Sequence, residues 1–148
     1  MGLQGWLKPP FGTIKVNCDG GWCSRTGRGG FGWVARDFAG IFKGAGGVGN
    51  IMCVSSVMAE AEAVRLALLW CVEGGFALET DSQVLVDMIR GSLRPEAVLD
   101  DILWDIVLLK QQLCAVEFLY APRSSNEAAH LMASYVMHVG DPIWLLHA

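Results

Sequence analysis

The spacing of apolar residues first changes near residue 55. Before that point they recur at every second position. Ile14, Val16 and Cys18 alternate with Lys15, Asn17 and Asp19 over Thr13–Gly20, and Phe31, Trp33 and Ala35 repeat the pattern over Phe31–Asp37. This is the period of a strand with one buried face. Glycine-rich Gly20–Gly30 reads as a hairpin connection and Ala39-Gly40 as a turn, leading into a third, glycine-rich strand over Ile41–Val48. After residue 55 the spacing becomes helical. Ser55 or Ser56 can cap a helix running to about Glu73, with Ala59, Ala63, Leu66 and Trp70 on one stripe and Gly74-Gly75 as its stop. A short strand over Phe76–Thr80 follows, then a helix over Ser82–Arg90 that ends at Gly91. Pro95 suits the first turn of a third helix, on which Leu99, Ile102, Ile106, Leu109 and Leu113 share a face. A fifth strand over Ala115–Tyr120, a loop over Pro122–Asn126 and a last helix to about Met137 complete the order βββ-α-β-α-α-β-α. That order predicts an α/β fold with a five-stranded mixed sheet, three strands antiparallel and two added in parallel, flanked by helices. Residues 1–12 read as an extended lead-in, 13–140 as one domain and 141–148 as a tail.

Composition sets the setting. Of 148 residues, 53 % are hydrophobic, enough for one packed core. No apolar run reaches a membrane span, and the N-terminus lacks the basic and apolar regions of a secretory signal. Met1-Gly2 resembles the start of a myristoylation signal, but Trp6 stands where Ser or Thr is required. The five cysteines form no Cys-x-x-Cys pair and read as reduced, buried, small apolar residues. An intracellular protein, nuclear or cytoplasmic, is expected. The net charge of −4 is unevenly spread. Residues 1–50 carry six Lys and Arg against two acids, and the remainder five against thirteen. The basic first third can face a polyanion.

Asp19 closes the first strand, Asp81 follows the fourth, and Glu60 lies early on the first helix. If the first and fourth strands are neighbours, all three carboxylates meet at one sheet edge. Converging carboxylates favour hard divalent cations, and such ions serve phosphodiester chemistry. Glu60 and Glu62 lie two apart on a helix and cannot face the same way; Glu60 is the one assigned to the site. The plainer readings are a solvated strand-end residue for Asp19 and a helix cap for Asp81.

Taken in order, these segments resemble the ribonuclease H-like, reverse-transcriptase-like domains of plants, related to those of non-LTR retrotransposons. The residues that carry the resemblance are Lys15-Val16-Asn17-Cys18-Asp19-Gly20, Gly29 to Asp37, Ala59-Glu60-Ala61-Glu62-Ala63, Glu79-Thr80-Asp81-Ser82, Val116-Glu117-Phe118, Pro122-Arg123 and Asn126-Glu127-Ala128-Ala129-His130-Leu131-Met132-Ala133. The resemblance spans roughly residues 6–137 and implies cleavage of the RNA strand of RNA–DNA hybrids, or of another RNA-containing duplex, with two Mg²⁺ ions. It implies Asp19, Glu60 and Asp81 as metal ligands and catalytic residues, with His130 accessory. Gly20 and Gly21 would let main chain approach the RNA, and Ser82 and Asn126 would touch the strands.

The chain departs from that pattern three times. His130 replaces a fourth carboxylate, and imidazole suits Mn²⁺ better than Mg²⁺. Ser124-Ser125 stand where relatives carry a loop histidine. The stretch Gly91–Leu99 lacks a basic protrusion. The alternative function is therefore a domesticated, weakly active or inactive module that binds nucleic acid or a protein partner, including a second copy of itself; the mean hydropathy of +0.39 agrees with this. Trp22 reads as base-stacking or hairpin packing, and Arg25 with Arg28 as phosphate contacts or an exposed loop. Trp33, Trp70 and Trp104 fit core stripes, and His138 and His147 receive no role.

Overall fold

A computed structural model describes residues 5–70, 75–94, 97–112, 115–139 and 143–146. Three strands, β1 (Thr13–Cys23), β2 (Arg28–Arg36) and β3 (Phe42–Met52), form an antiparallel meander. Helix α1 (Ser56–Trp70) then leads to β4 (Gly75–Thr80), which pairs with β1 in parallel. Helices α2 (Gln83–Arg90) and α3 (Asp100–Gln112) precede β5 (Ala115–Tyr120), parallel to β4, and α4 (Glu127–Val139) follows. The five expected strands and the mixed pairing are present. A sixth strand, β6 (Ile143–Leu146), lies within the stretch read as a tail and adds antiparallel to β3, so the sheet order is β5-β4-β1-β2-β3-β6. No described helix is long and apolar enough to cross a membrane.

The two central faces of the sheet carry different helices. On one face Val16, Cys18, Phe31, Trp33 and Ala35 pack beneath α1, and α3 lies against α1 from outside. Being enclosed on two sides, α1 buries Ala61, Val64, Ala67 and Leu68 besides the expected Ala59 and Ala63. Each such large apolar side chain is worth roughly 1.5–3 kcal/mol. The Trp33 and Trp70 rings meet at 4.6 Å, and Trp70 meets Phe76 edge-on at 6.2 Å. Trp104 is a correction: it stands on the outer side of α3 and is 65 % exposed, because Ile102, Leu103 and Ile106 are the residues α3 turns inward. The helix stop at Gly74, the helix start at Pro95 and the stripe residue Leu113, with Cys71, Cys114 and His147, lie outside the described residues.

On the other face α4 lies on a bed of glycines. A Cβ at Gly32 would stand 2.6 Å from the Ala133 nitrogen, one at Gly47 2.8 Å from Val136 Cγ1, and one at Gly49 inside the Val136 carbonyl. The glycine content of β2 and β3 is therefore a packing requirement. Only strands without side chains let α4 sit close enough to bury Ala129, Ala133 and Val136.

Strand β1 differs from its sequence reading. It is buried on both faces, with Lys15, Asn17 and Asp19 only 7, 0 and 2 % exposed. Its position between β4 and β2, under helices on either side, removes the solvent face that alternation predicts. The lead-in is part of this packing. Trp6 Nε1 donates to Asn17 Oδ1 at 2.9 Å, Lys15 Nζ donates to the Leu7 carbonyl at 2.6 Å, and the Arg36 guanidinium stacks on the Trp6 ring at 4.2 Å.

Gly49→Ala should lower the unfolding free energy by about 3 kcal/mol, the upper end of overpacking costs, in urea denaturation. Gly5→Ala, with nothing within 4 Å of the new methyl, should leave it unchanged. Equal midpoints for the two variants would contradict the glycine-bed account.

Candidate active site

Asp19 lies inside β1, opposite Gly32 on β2, and not at the strand's end as the alternation suggested, because β1 runs on to Cys23. Asp81 directly follows β4. Glu60 is on the second turn of α1, whose start is held by Ser55 Oγ accepting from the Met58 N–H at 3.2 Å. The parallel pairing of β1 with β4 brings the two aspartates to one place, and α1 crosses above them. One carboxylate oxygen from each of Asp19, Glu60 and Asp81 lies within 4.8 Å of the others. Glu62 turns away and pairs with Arg65 at 2.7 Å.

Close burial of like charges raises proton affinity. The Asp19 carboxyl is pushed up to about 6, first by burial and then by the Asp81 charge, against the lowering effect of a hydrogen bond from His130. Glu60 is pushed up to about 7, again chiefly by burial, while a hydrogen bond with Ser82 opposes the rise and the Asp81 and Asp19 charges add to it. Asp19 Oδ1 is buried and has no hydrogen-bond partner. A buried orphan carboxylate oxygen aimed among two other carboxylates is the donor set a hard cation satisfies. The residues present therefore fit a divalent metal.

Two cationic or polar side chains lean on the acids. His130, on the first turn of α4, places Nδ1 2.9 Å from Asp19 Oδ2. Arg123, in the 3₁₀ turn Arg123–Ser125, donates from Nε to Asp81 Oδ2 at 3.2 Å and reaches His130 Nε2 with Nη1 at 3.4 Å. Arginine has no acceptor, so the Arg123 contact requires Nε2 to be the bare nitrogen, and Nδ1–H then donates to Asp19. The chain Asp81–Arg123–His130–Asp19 closes one side of the site. Arg123 stood in the quoted motif with no role attached. Its signal was the lone cation in the loop entering α4.

The other sequence-assigned residues are present but serve the scaffold. Gly20 is required because a Cβ there would lie inside the Ala59 backbone of α1, and one at Gly21 would meet Met137 Sδ at 2.7 Å. Close helix packing requires glycine at position 20, whatever else the two glycines do. Ser82 is buried and caps α2, its Oγ accepting from the Leu85 N–H at 3.3 Å, so the capping role considered for Asp81 belongs to Ser82. Asn126 is fully buried: Oδ1 accepts from Asn17 Nδ2 at 3.0 Å and Nδ2 donates to the Cys18 carbonyl at 2.9 Å. It presents no atom to a strand. Asn17 also donates to Glu79 Oε1 at 2.9 Å, and Glu79 Oε2 pairs with Lys15 Nζ at 3.2 Å. This buried network was not visible in the sequence, which showed only polar residues on a face assumed to be wet.

Residues 17–136 match the family model described as reverse transcriptase-like. The chain belongs to that family. Among solved structures it superposes on RNase H1 from the halophilic archaeon Halobacterium salinarum NRC-1 with a TM-score of 0.80 at 22 % identity, covering 86 % of this chain and 99 % of that one. LC11-RNase H1 in complex with an RNA/DNA hybrid gives 0.77 at 22 % identity, with 85 % and 97 % covered. The N-terminal RNase H domain of a Mycobacterium tuberculosis protein gives 0.76 at 18 % identity, with 87 % and 96 % covered. These likenesses establish the ribonuclease H fold for this reverse transcriptase-like chain. No curated protein sequence matches it.

Asn126→Ala should cost about 1–3 kcal/mol of stability in denaturant unfolding, because it strands the Asn17 amide and the Cys18 carbonyl in the interior. The raised carboxyls also set a pH dependence. As pH rises, the unfolded-state acids ionise near 4, while folded Asp19 and Glu60 keep protons to about 6 and 7. The folded state binds more protons across that window, so their contribution to stability falls as pH rises through it. In chelator, calorimetry should show the melting temperature of Asp19→Asn gaining on the wild type between pH 4.5 and 7.5. A constant difference would refute the assignment.

Proposed function

We propose that this chain is a divalent-metal-dependent endoribonuclease that cleaves the RNA strand of RNA–DNA hybrids. The observation that carries the reading is the convergence of Asp19, Glu60 and Asp81, with their oxygens within 4.8 Å and one buried oxygen unpartnered. Family membership and the ribonuclease H fold support it, as does the hybrid bound by LC11-RNase H1.

Two Mg²⁺ ions, or Mn²⁺, are the proposed cofactor; when bound they supply Lewis acidity to an attacking water and to the phosphoryl group. Asp19 is the central ligand because both its faces are fixed, one oxygen by His130 and the other free for metal. Glu60 and Asp81 hold metal from α1 and from the end of β4. Both raised carboxyls must lose their protons to bind an ion, so metal affinity grows with pH through 6 to 7. The Arg123 side chain is 65 % exposed at the mouth of the site. With Asp81 serving as a metal ligand, the Arg123 guanidinium would be available to bind an incoming phosphate in bidentate fashion. His130, locked through Nδ1, keeps Nε2 as the proton acceptor on that side.

The second reading, a weakly active or inactive module, is favoured by the same two residues. Arg123 pairs with Asp81 and His130 donates a hydrogen bond to Asp19, which lowers the demand for metal. The partner of such a module would be nucleic acid or protein, met in the latter case by apolar side chains such as Trp104 and Leu108, which α3 leaves exposed.

Cleavage of a labelled RNA–DNA hybrid in Mg²⁺ and in Mn²⁺ separates the two readings. The wild type should cleave the RNA strand only, Asp19→Asn should be inert with its fold retained, and His130→Asp should raise the Mg²⁺ rate relative to Mn²⁺. A wild type as inert as Asp19→Asn in both metals would overturn the nuclease.

A further inference from the structure

Beside the carboxylates, and separate from them, a cavity of about 520 Å³ opens between the β1–β2 hairpin, the end of β3 and the second half of α4. Its polar lining is Arg25, Thr26, Arg28, Asn50, Ser134 and His138. No described carboxylate lines it, whereas the cavities elsewhere on the molecule include Asp100, Glu117, Glu62 or Asp105. In a chain of net charge −4, this absence leaves a local positive field.

The cationic side is held in place. Thr26 Oγ1 accepts from the Arg28 N–H at 3.2 Å, the Gly27 N–H donates to the Cys23 carbonyl at 2.8 Å, and Gly27 takes the positive φ of 71° that this turn requires. The Gly27 carbonyl in turn accepts from the Cys53 N–H at 2.9 Å, which anchors the hairpin tip to the connection before α1. Arg28 Nη1 donates to the Asn50 carbonyl at 3.2 Å, leaving the rest of its fork available. The thiol of Cys23 is held below the usual cysteine range, chiefly by the Thr26 backbone N–H, which shows donors aimed at this spot.

Helix α4 links the cavity to the carboxylate cluster. His130, Ser134 and His138 are spaced four apart and so form one stripe. His130 touches Asp19, and Ser134 and His138 line the cavity. Eight residues of helix span about 12 Å. His138 in the cavity therefore stands about 12 Å along α4 from the histidine that touches Asp19.

We infer that this cavity is a backbone-phosphate subsite, in which Arg25 and Arg28, with Thr26, Ser134 and His138, hold a phosphodiester of the nucleic acid away from the scissile position, on the stretch that passes the second half of α4. The inference rests on the proposed nuclease reading for its substrate and on the cavity alone for its chemistry. It also gives the chain a cationic grip in place of the basic protrusion that Gly91–Leu99 lacks.

Binding of a non-cleavable complex tests it. Asp19→Asn protein is titrated with fluorescent RNA–DNA hybrid at a series of salt concentrations, alone and with Arg25→Ala, Arg28→Gln or both added. Lys43→Ala, which removes the same charge from the opposite end of β3, serves as control. Each cavity substitution should reduce the slope of log affinity against log salt by about one, and Lys43→Ala should leave it unchanged. In a series of hybrids shortened step by step from one end, the effect should disappear once the hybrid no longer reaches from the carboxylates to the cavity. Arg25 is exposed at the hairpin tip, so its single variant keeps the test valid should Arg28→Gln perturb the fold. Hybrid binding with the slope unchanged in both arginine variants, or changed equally by Lys43→Ala, overturns the subsite and leaves the nuclease standing. Altered slopes in a protein whose wild type cleaves nothing would support the subsite and overturn the nuclease. No binding of hybrid at low salt overturns both.

Discussion

The link between Asn17 and Asn126 is the contact on which the rest of the site depends. Both amides are fully buried, and together they join the central strand to the residue that starts α4. Asn126 also holds the Cys18 carbonyl, one residue before Asp19, and its own carbonyl accepts from the His130 N–H at 3.1 Å. One side chain therefore sets the strand that carries the acid and the helix turn that carries its histidine partner. Buried amides left unpartnered would cost more than the link itself contributes. The network is accordingly completed on every side, by Glu79 and Lys15 toward β4 and by Trp6 from the lead-in.

This rigid frame explains how three carboxylates can be kept together without metal. Their mutual repulsion and burial appear as proton affinity, highest at Glu60 and next at Asp19. The frame leaves them no room to separate, so the strain is met by protons, by the Arg123 and His130 contacts, or by a cation. His130 in place of a further acid reduces negative charge in the cluster while still fixing the Asp19 rotamer. The same substitution that lowers the demand for metal also keeps Asp19 oriented for it.

The glycines act at the level of packing. Where α1 and α4 cross the sheet, Gly20 and Gly21 lie side by side in β1 and face opposite helices. A side chain at Gly20 would push the α1 backbone, and with it Glu60, away from Asp19, whereas one at Gly21 would displace the Met137 side chain. Closeness of the three elements, rather than any single bond, gives the carboxylate spacing. Outside that frame the hairpin tip is free to present arginines, because β1 and β2 extend beyond the region the helices cover.

The sequence alone determined the order of elements, the mixed sheet and the identity of the three acids, because period, turn residues and strand-end polar residues are local signals. Asp81 and Glu60 were readable for the same reason, each standing just after a clear apolar run or early on a clear helix. What only the tertiary structure decided concerns faces and neighbours. Alternation in β1 implied a wet side, yet parallel pairing with β4 and cover from α4 and Trp6 made that side the most buried polar region of the protein. Asn126 was expected to touch nucleic acid from the family resemblance; packing buries it completely and turns its amide to Asn17 and the Cys18 carbonyl. Arg123 entered the site because the 3₁₀ turn before α4 points it back at Asp81, a direction set by long-range contacts that no local pattern encodes. The strand at Ile143–Leu146 pairs because the edge of β3 was open to receive it, a property of the assembled sheet rather than of those four residues.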